Sequence, residues 1–239
     1  MRTSIFHMGW DKGIKAKESL LRHPHQDPLF LEQFKVIRAK INDSLEKDGN
    51  RALAVTSSIA DEGKTVICVN LALNIASTGG KKVLLVDTDI RKSDFVRVMN
   101  LNPSPGLSDY LSGNAKANEI FRNSQVPDLH VIPAGSETPS PGDLLGGEKF
   151  RLLLKSARDI FDVILLDTPP VIPVADTLSL RDQVDRFLLV YRAGFTPFPM
   201  FRHTVEEIGE QRILGVVINR VKPQKDKYYK QYYGKYYRK

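Results

Sequence analysis

A Gly63-Lys64-Thr65 triplet, two carboxylate-ended apolar runs and a tail of paired tyrosines are the parts of this chain that could do chemistry. The segment Ser57-Ser58-Ile59-Ala60-Asp61-Glu62-Gly63-Lys64-Thr65-Val66 follows an apolar run and precedes a helical pattern. That is the setting of a phosphate loop, whose backbone N–H groups and helix N-terminus cradle polyphosphate oxygens. Lys64 is the expected cation for the β- and γ-phosphates and the Thr65 hydroxyl an expected Mg2+ ligand. Asp61, Glu62, Gly63 and Val66 complete the expected nucleotide contact, and Ser58 stands where the usual pattern has its first glycine. A bare Gly-Lys-Thr is common by chance; the strand before it and the helix after it give this one weight.

Val83-Leu84-Leu85-Val86-Asp87-Thr88-Asp89-Ile90-Arg91 ends in two acids and an arginine, and Val163-Ile164-Leu165-Leu166-Asp167-Thr168-Pro169-Pro170 ends in one acid. In a parallel sheet all strand C-termini lie on one edge, where ligands bind. Lys64, Asp87, Asp89 and Asp167 are therefore the expected catalytic set, and Arg91 an expected nucleotide contact. Mg2+ takes few protein ligands and keeps waters and substrate phosphates, which suits Thr65, Asp87 and Asp167. Acids also mark plain strand termination, but three strand ends in this order favour a shared site.

The last twelve residues hold six of the eight tyrosines, as the pairs Tyr228-Tyr229, Tyr232-Tyr233 and Tyr236-Tyr237. Tyrosine is usually buried for much of its surface. Here Lys, Gln, Gly and Arg separate the pairs, so no regular element could bury most of them. Phenols behind a phosphate-handling domain are expected to receive the phosphate. A phenol has a pKa of about 10, so a base or metal must favour its attack, and Asp87 or Asp89 is the candidate base. From Lys222 onward seven Lys/Arg and one Asp give +6, which leaves +1 of the net +7 for the other 221 residues. Such a tail can lean on an anionic membrane or nucleic acid, or stay solvated.

These residues need a sheet and helices to position them. Apolar runs at Ala52–Thr56, Lys82–Asp87, Leu129–Pro133, Val163–Asp167, Arg186–Tyr191 and Gly215–Asn219 read as strands. Helical or loop segments at Thr65–Thr78, Gly147–Asp159 and Pro199–Gln211 alternate with them. The expected fold is α/β, a mainly parallel central sheet with helices on both faces, like that of P-loop NTPases. Leu31, Phe34, Ile37, Ile41 and Leu45 recur at three to four residues and predict an amphipathic helix over Leu29–Leu45. The expected organisation is a loosely ordered polar leader over 1–28, one domain over 29–222 and a disordered tyrosine-rich tail over 223–239. Loops at Asn102–Gly106 and Ala134–Gly147 are candidate rims of the site. No apolar stretch nears the roughly 18 residues of a membrane span, and no signal peptide is evident. The single cysteine, Cys68, reads as a small buried residue, and the five histidines show no zinc-like spacing.

With these elements in order, the chain resembles the cytoplasmic catalytic domains of bacterial tyrosine kinases over about residues 30 to 239. The phosphate loop, the Asp87-x-Asp89-x-Arg91 and Asp167-x-Pro169-Pro170 elements and the terminal tyrosines carry the resemblance. It implies an ATP- and Mg2+-dependent autokinase that phosphorylates its own tail between neighbouring subunits and controls capsule or exopolysaccharide production. It further implies a homo-oligomeric ring, a membrane-embedded activator of the polysaccharide co-polymerase type and a cognate phosphotyrosine phosphatase. The place of action is then the cytoplasm, at the inner face of the membrane through the activator, with no nucleic acid partner. The family's Glu-x-x-Arg-x-x-Arg ring helix is matched by Glu32, Lys35 and Arg38, with lysine at the middle position. Val217-Ile218-Asn219-Arg220 resembles the strand end that meets the adenine base in related ATPases, which adds Asn219 and Arg220 to the nucleotide contacts. Septum-placement and partition ATPases share the fold but carry an extra lysine early in the loop, where Ser58-Ile59-Ala60 stands here. A positioning ATPase that binds DNA or membrane through the tail is the alternative, and a nucleotide-binding regulator with negligible turnover is a third reading.

Overall fold

Short Val-, Leu- and Ile-rich runs become strands here because a parallel sheet covered on both faces needs apolar residues at successive positions. The computed structural model describes residues 4–9, 28–78 and 80–221. In chain order these form β1 (Ser4–Gly9), α1 (Pro28–Asp48), β2 (Ala52–Ser57), α2 (Lys64–Ser77) and β3 (Val83–Asp87). There follow α3 (Phe95–Met99), α4 (Leu107–Leu111), α5 (Ala117–Ile120), β4 (Arg122–Asn123) and β5 (Leu129–Ile132). The chain continues through α6 (Pro141–Gly146), α7 (Glu148–Ile160), β6 (Val163–Asp167), β7 (Arg186–Arg192), α8 (Phe198–Ile208) and β8 (Ile213–Val221). Single 3₁₀ turns occupy Ala175–Leu180 and Glu210–Arg212.

Among the described residues the strands make one eight-stranded sheet in the order β1-β8-β7-β2-β6-β3-β5-β4. All pairings are parallel except the short edge pair β4–β5. Period-two alternation splits each central strand between two cores. Ala52, Ala54, Leu84, Val86, Ile164 and Leu166 face a layer that includes Phe150 and Leu154 of α7. Leu53, Val55, Leu85 and Leu165 face the other layer, with Phe34, Ile37 and Ile41 of α1 and Ile67, Leu71 and Ile75 of α2. Each such buried side chain contributes about 2 kcal/mol, so α1 is held by its apolar stripe. Cys68 is buried in the same layer.

The architecture is the α/β sheet that the apolar runs predict, with strand limits moved by at most two residues and Val163–Asp167 unchanged. One expectation is corrected. The polar leader is not loose throughout, because Ser4–Gly9 adds a parallel edge strand to β8, pairing Ser4 with Gly215 and His7 with Ile218. The expected loop over Ala134–Gly147 also contains the short helix α6. The tyrosine-rich tail and the rest of the leader lie outside the described residues.

Candidate active site

β2, β3 and β6 are adjacent and parallel, so their C-terminal ends bring the phosphate loop and the two acidic strand ends to one edge. Asp87 and Asp167 are direct register partners across β3 and β6. Lys64 opens α2 and sends Nζ to Asp89 Oδ2 at 3.0 Å, with both side chains largely buried. Burial alone would lower the Lys64 pKa, but Asp167 and Asp89 outweigh it and raise the value. The lysine therefore keeps its charge.

The carboxylates differ. Asp87 is buried, accepts the Asp89 N–H at 3.0 Å and is held by a short hydrogen bond from Ser93 Oγ. Burial, and then the Asp167 charge, push Asp87 well above the usual carboxylate range. Asp167 is also buried, yet neither of its carboxylate oxygens has a well-formed hydrogen bond. Burial pushes it up to about 7, against the pull of Lys64 and the nearby Thr65 hydroxyl. A buried carboxylate whose hydrogen bonds are incomplete is costly, and a cation held by its oxygens would relieve it. Thr65, Asp87 and Asp167 thus fit Mg2+ as a donor set, hard oxygens at the base of a phosphate loop. Among the described residues no group of three or more His, Cys, Asp or Glu forms a metal cage.

The strand ends are fixed by threonines. Thr88 donates both its N–H and its hydroxyl to Asp167 O at 2.8 Å. Thr56 and Thr177 donate to Pro169 O at 2.9 and 2.6 Å, and Thr168 to Val55 O at 3.1 Å. The Asp167-x-Pro169-Pro170 turn is thereby tied to β2 beside the phosphate loop.

The loop itself bends through two left-handed residues, Asp61 (φ 64°) and Gly63 (φ 93°). A Cβ on Gly63 would lie 2.4 Å from Asn219 Nδ2, so only glycine fits. Asp61 is exposed. Glu62, in contrast, is fully buried and its side chain turns away from Lys64, accepting from Ile59 N at 2.8 Å and Arg192 N at 3.1 Å. Asn219, at the end of β8, donates to Glu62 O at 2.7 Å and accepts from Arg220 N at 2.9 Å. Val66 lies in the first turn of α2 and accepts from Asn70 Nδ2 at 2.8 Å. Arg91 makes a two-point pair with Asp176 at 2.5 and 3.2 Å and lies close enough to Asp89 to feel its charge. Arg220 is exposed, in the left-handed region at φ 55°.

Glu32, Lys35 and Arg38 all lie on α1. Lys35 pairs with Glu32 one turn away at 2.5 Å on the exposed side of α1, and Arg38 reaches Asn74 Oδ1 of α2 at 3.2 Å. Asp176, Arg192 and Thr196 escape sequence reading, since each lies outside any motif and is brought in only by the order of strands.

A family model described as an AAA domain matches residues 51–184. The tyrosine-protein kinase CpsD of Streptococcus agalactiae is 36% identical over 197 residues, covering 80% of this chain and 82% of CpsD. The tyrosine-protein kinase Wzc of Salmonella typhi is 29% identical over 214 residues, which is 88% of this chain but 30% of Wzc. The chain thus spans most of one relative and under a third of the other. Among solved structures, the kinase domain of the Escherichia coli tyrosine kinase ETK aligns with a TM-score of 0.82 at 26% identity, covering 93% of this chain and 91% of that one. The cell division ATPase MinD of Pyrococcus furiosus aligns with a TM-score of 0.60 at 25% identity, over 73% and 76% of the two chains. Sequence and fold agree with the strand-end chemistry, and the chain belongs to the bacterial tyrosine-protein kinases, on a P-loop NTPase-like sheet.

Proposed function

We propose that this kinase uses Mg-ATP to phosphorylate its own terminal tyrosines, Tyr228 to Tyr237, and so regulates capsule or exopolysaccharide synthesis and export. The observation that carries the reading is the buried Asp167 carboxylate beside Lys64, Thr65 and Asp87, in a chain whose last twelve residues hold six phenols. Lys64 and the loop N–H groups would bind and orient the β- and γ-phosphates, while Asp61 to Val66, Asn219 and Arg220 complete the nucleotide contact. Thr65, Asp87 and Asp167 would hold Mg2+, which supplies charge neutralisation on the transferring phosphate. The phenol oxygen bonds to the γ-phosphorus as the bond to the ADP oxygen breaks, and the phenol proton passes to Asp87 or Asp89. Arg91, paired with Asp176, would steady the loop after β3 from outside the phosphate contact.

The partners follow the same reading. Glu32, Lys35 and Arg38 would meet a second copy in a homo-oligomer, a membrane-embedded activator would bring the kinase to the inner face of the membrane, and a phosphotyrosine phosphatase would reset the tail. Among the described residues no helix is long and apolar enough to cross a membrane. The likeness to MinD favours one second reading, a positioning ATPase that uses the basic tail on DNA or membrane. Incubation with Mg-ATP and candidate activator segments, read by phosphotyrosine mass spectrometry, separates the two. Phosphate on the tail supports the kinase; ATP turnover with no phosphotyrosine supports the ATPase.

A further inference from the structure

The phosphate loop is clamped from behind by a segment that no nucleotide-binding motif includes. Thr196, between β7 and α8, is 5% exposed, and its hydroxyl donates a short hydrogen bond to Glu62 Oε1. The same oxygen accepts Arg192 N at 3.1 Å, while Oε2 accepts Ile59 N at 2.8 Å. One buried carboxylate therefore joins the start of the loop to the end of β7 and the turn beyond it. The Arg192 side chain adds a bond from Nη1 to Asp61 O at 3.0 Å. The turn is fixed in its own right, with Tyr191 Oη donating to Thr196 O at 3.0 Å and Thr196 N to Arg192 O at 3.2 Å.

The clamp acts where the loop backbone is least at ease. Asp61 is a non-glycine residue at φ 64°, and Gly63 follows at φ 93°. The left-handed conformation of Asp61 is costly for a residue with a side chain and persists where surrounding contacts hold it, whereas Gly63 adopts its φ freely. Glu62 lies between the two, so its side-chain bonds hold both bends.

We propose that Thr196, acting through Glu62, is a positioning residue for the nucleotide: it presets the phosphate loop so that its N–H groups face the phosphates before binding. The inference rests on reading this loop as the nucleotide site. Presetting reduces the ordering cost of binding. It strengthens the hold on bound nucleotide and transition state alike, so its loss raises KM and leaves kcat nearly unchanged. Glutamine cannot replace Glu62, because three donors converge on the carboxylate and an amide NH2 would face one of them.

The test compares wild type, Thr196→Val, Thr196→Ser, Glu62→Gln and the double variant Thr196→Val/Glu62→Gln. Fluorescent ATP-analogue titration gives Kd, tail phosphorylation with activator gives KM and kcat, and thermal melting checks the fold. Thr196→Val is expected to raise Kd and KM roughly tenfold, with kcat within about twofold. Thr196→Ser should restore the wild-type values, and the double variant should be no weaker than Glu62→Gln. Unchanged Kd and KM in a folded Thr196→Val protein would overturn the clamp, as would a fall confined to kcat. Lys64→Met separates the two claims. If wild type binds the analogue and Lys64→Met does not, the nucleotide site stands whatever Thr196→Val does. If Lys64→Met binds as well as wild type, the site is misassigned and the clamp falls with it.

Discussion

At the scale of single residues, Lys64 concentrates the electrostatics of the site. It is the cation nearest the strand-end acids, and Asp167 and Asp89 hold it charged. Lys64→Met is expected to lower the phosphorylation rate by on the order of 100-fold or more, with the melting temperature close to wild type. Gly63 is constrained by shape instead. Gly63→Ala puts a Cβ 2.4 Å from Asn219 Nδ2 at a φ of 93°, so isothermal titration should show nucleotide binding lost. Adding Asn219→Ala removes the clash but not the backbone strain, and is expected to restore binding only in part. Lys64, Thr65, Asp87, Asp89 and Asp167 were all legible in sequence, because each sits at a strand or helix end that apolar patterning marks. The side-chain direction of Glu62 was not. Its partner Thr196 is 134 residues away, and only the adjacency of β2 and β7 brings them together.

At the scale of elements, the loops over Asn102–Gly106 and Ala134–Gly147 are tied together by Asp109. Its Oδ2 accepts from Gly106 N at 2.8 Å, Ser104 Oγ at 3.1 Å and Ser136 N at 3.3 Å, joining the two expected rim loops. Burial would raise its pKa, but bonds from Ser136, Gly106 and Ser104 outweigh it and hold the carboxyl below its ordinary value. The native state thus binds the proton less tightly than the unfolded chain. Its stabilising share is complete above the unfolded carboxyl pKa of about 3.9 and is lost as pH falls through the lower native value. Asp109→Asn should cost about 2 kcal/mol at neutral pH, and the cost should fade in melts taken at increasingly acid pH. A penalty that stays constant into acid would show that packing, not charge, carries the role. That Asn102–Gly106 and Ala134–Gly147 carry loops was legible from their prolines and glycines. The helix α6 within one of them was not, being six residues long with too little sequence to show a period.

At the scale of the whole molecule, continuous apolar runs alternating with helices were enough to predict the parallel sheet. β1 escaped because Ser4–Gly9 lies in a polar setting and pairs with residues some two hundred positions later, an edge contact that no local pattern encodes. The strand beside it, β8, leads directly into the tail. Truncation after Val221 is expected to leave the fold and nucleotide binding unchanged while removing every tail acceptor. The truncated kinase should then phosphorylate a synthetic peptide of residues 222–239 in trans, scored by phosphotyrosine mass spectrometry. Failure on that peptide, with nucleotide binding intact, would make the tail part of the active architecture and not only its substrate. The most direct measurement is tail phosphotyrosine after incubation of the whole chain with Mg-ATP and activator segments, beside Lys64→Met. Phosphate on Tyr228 to Tyr237 in the wild type, and none in the variant, is the predicted result. ATP bound and turned over with the tail unmodified would contradict the autokinase.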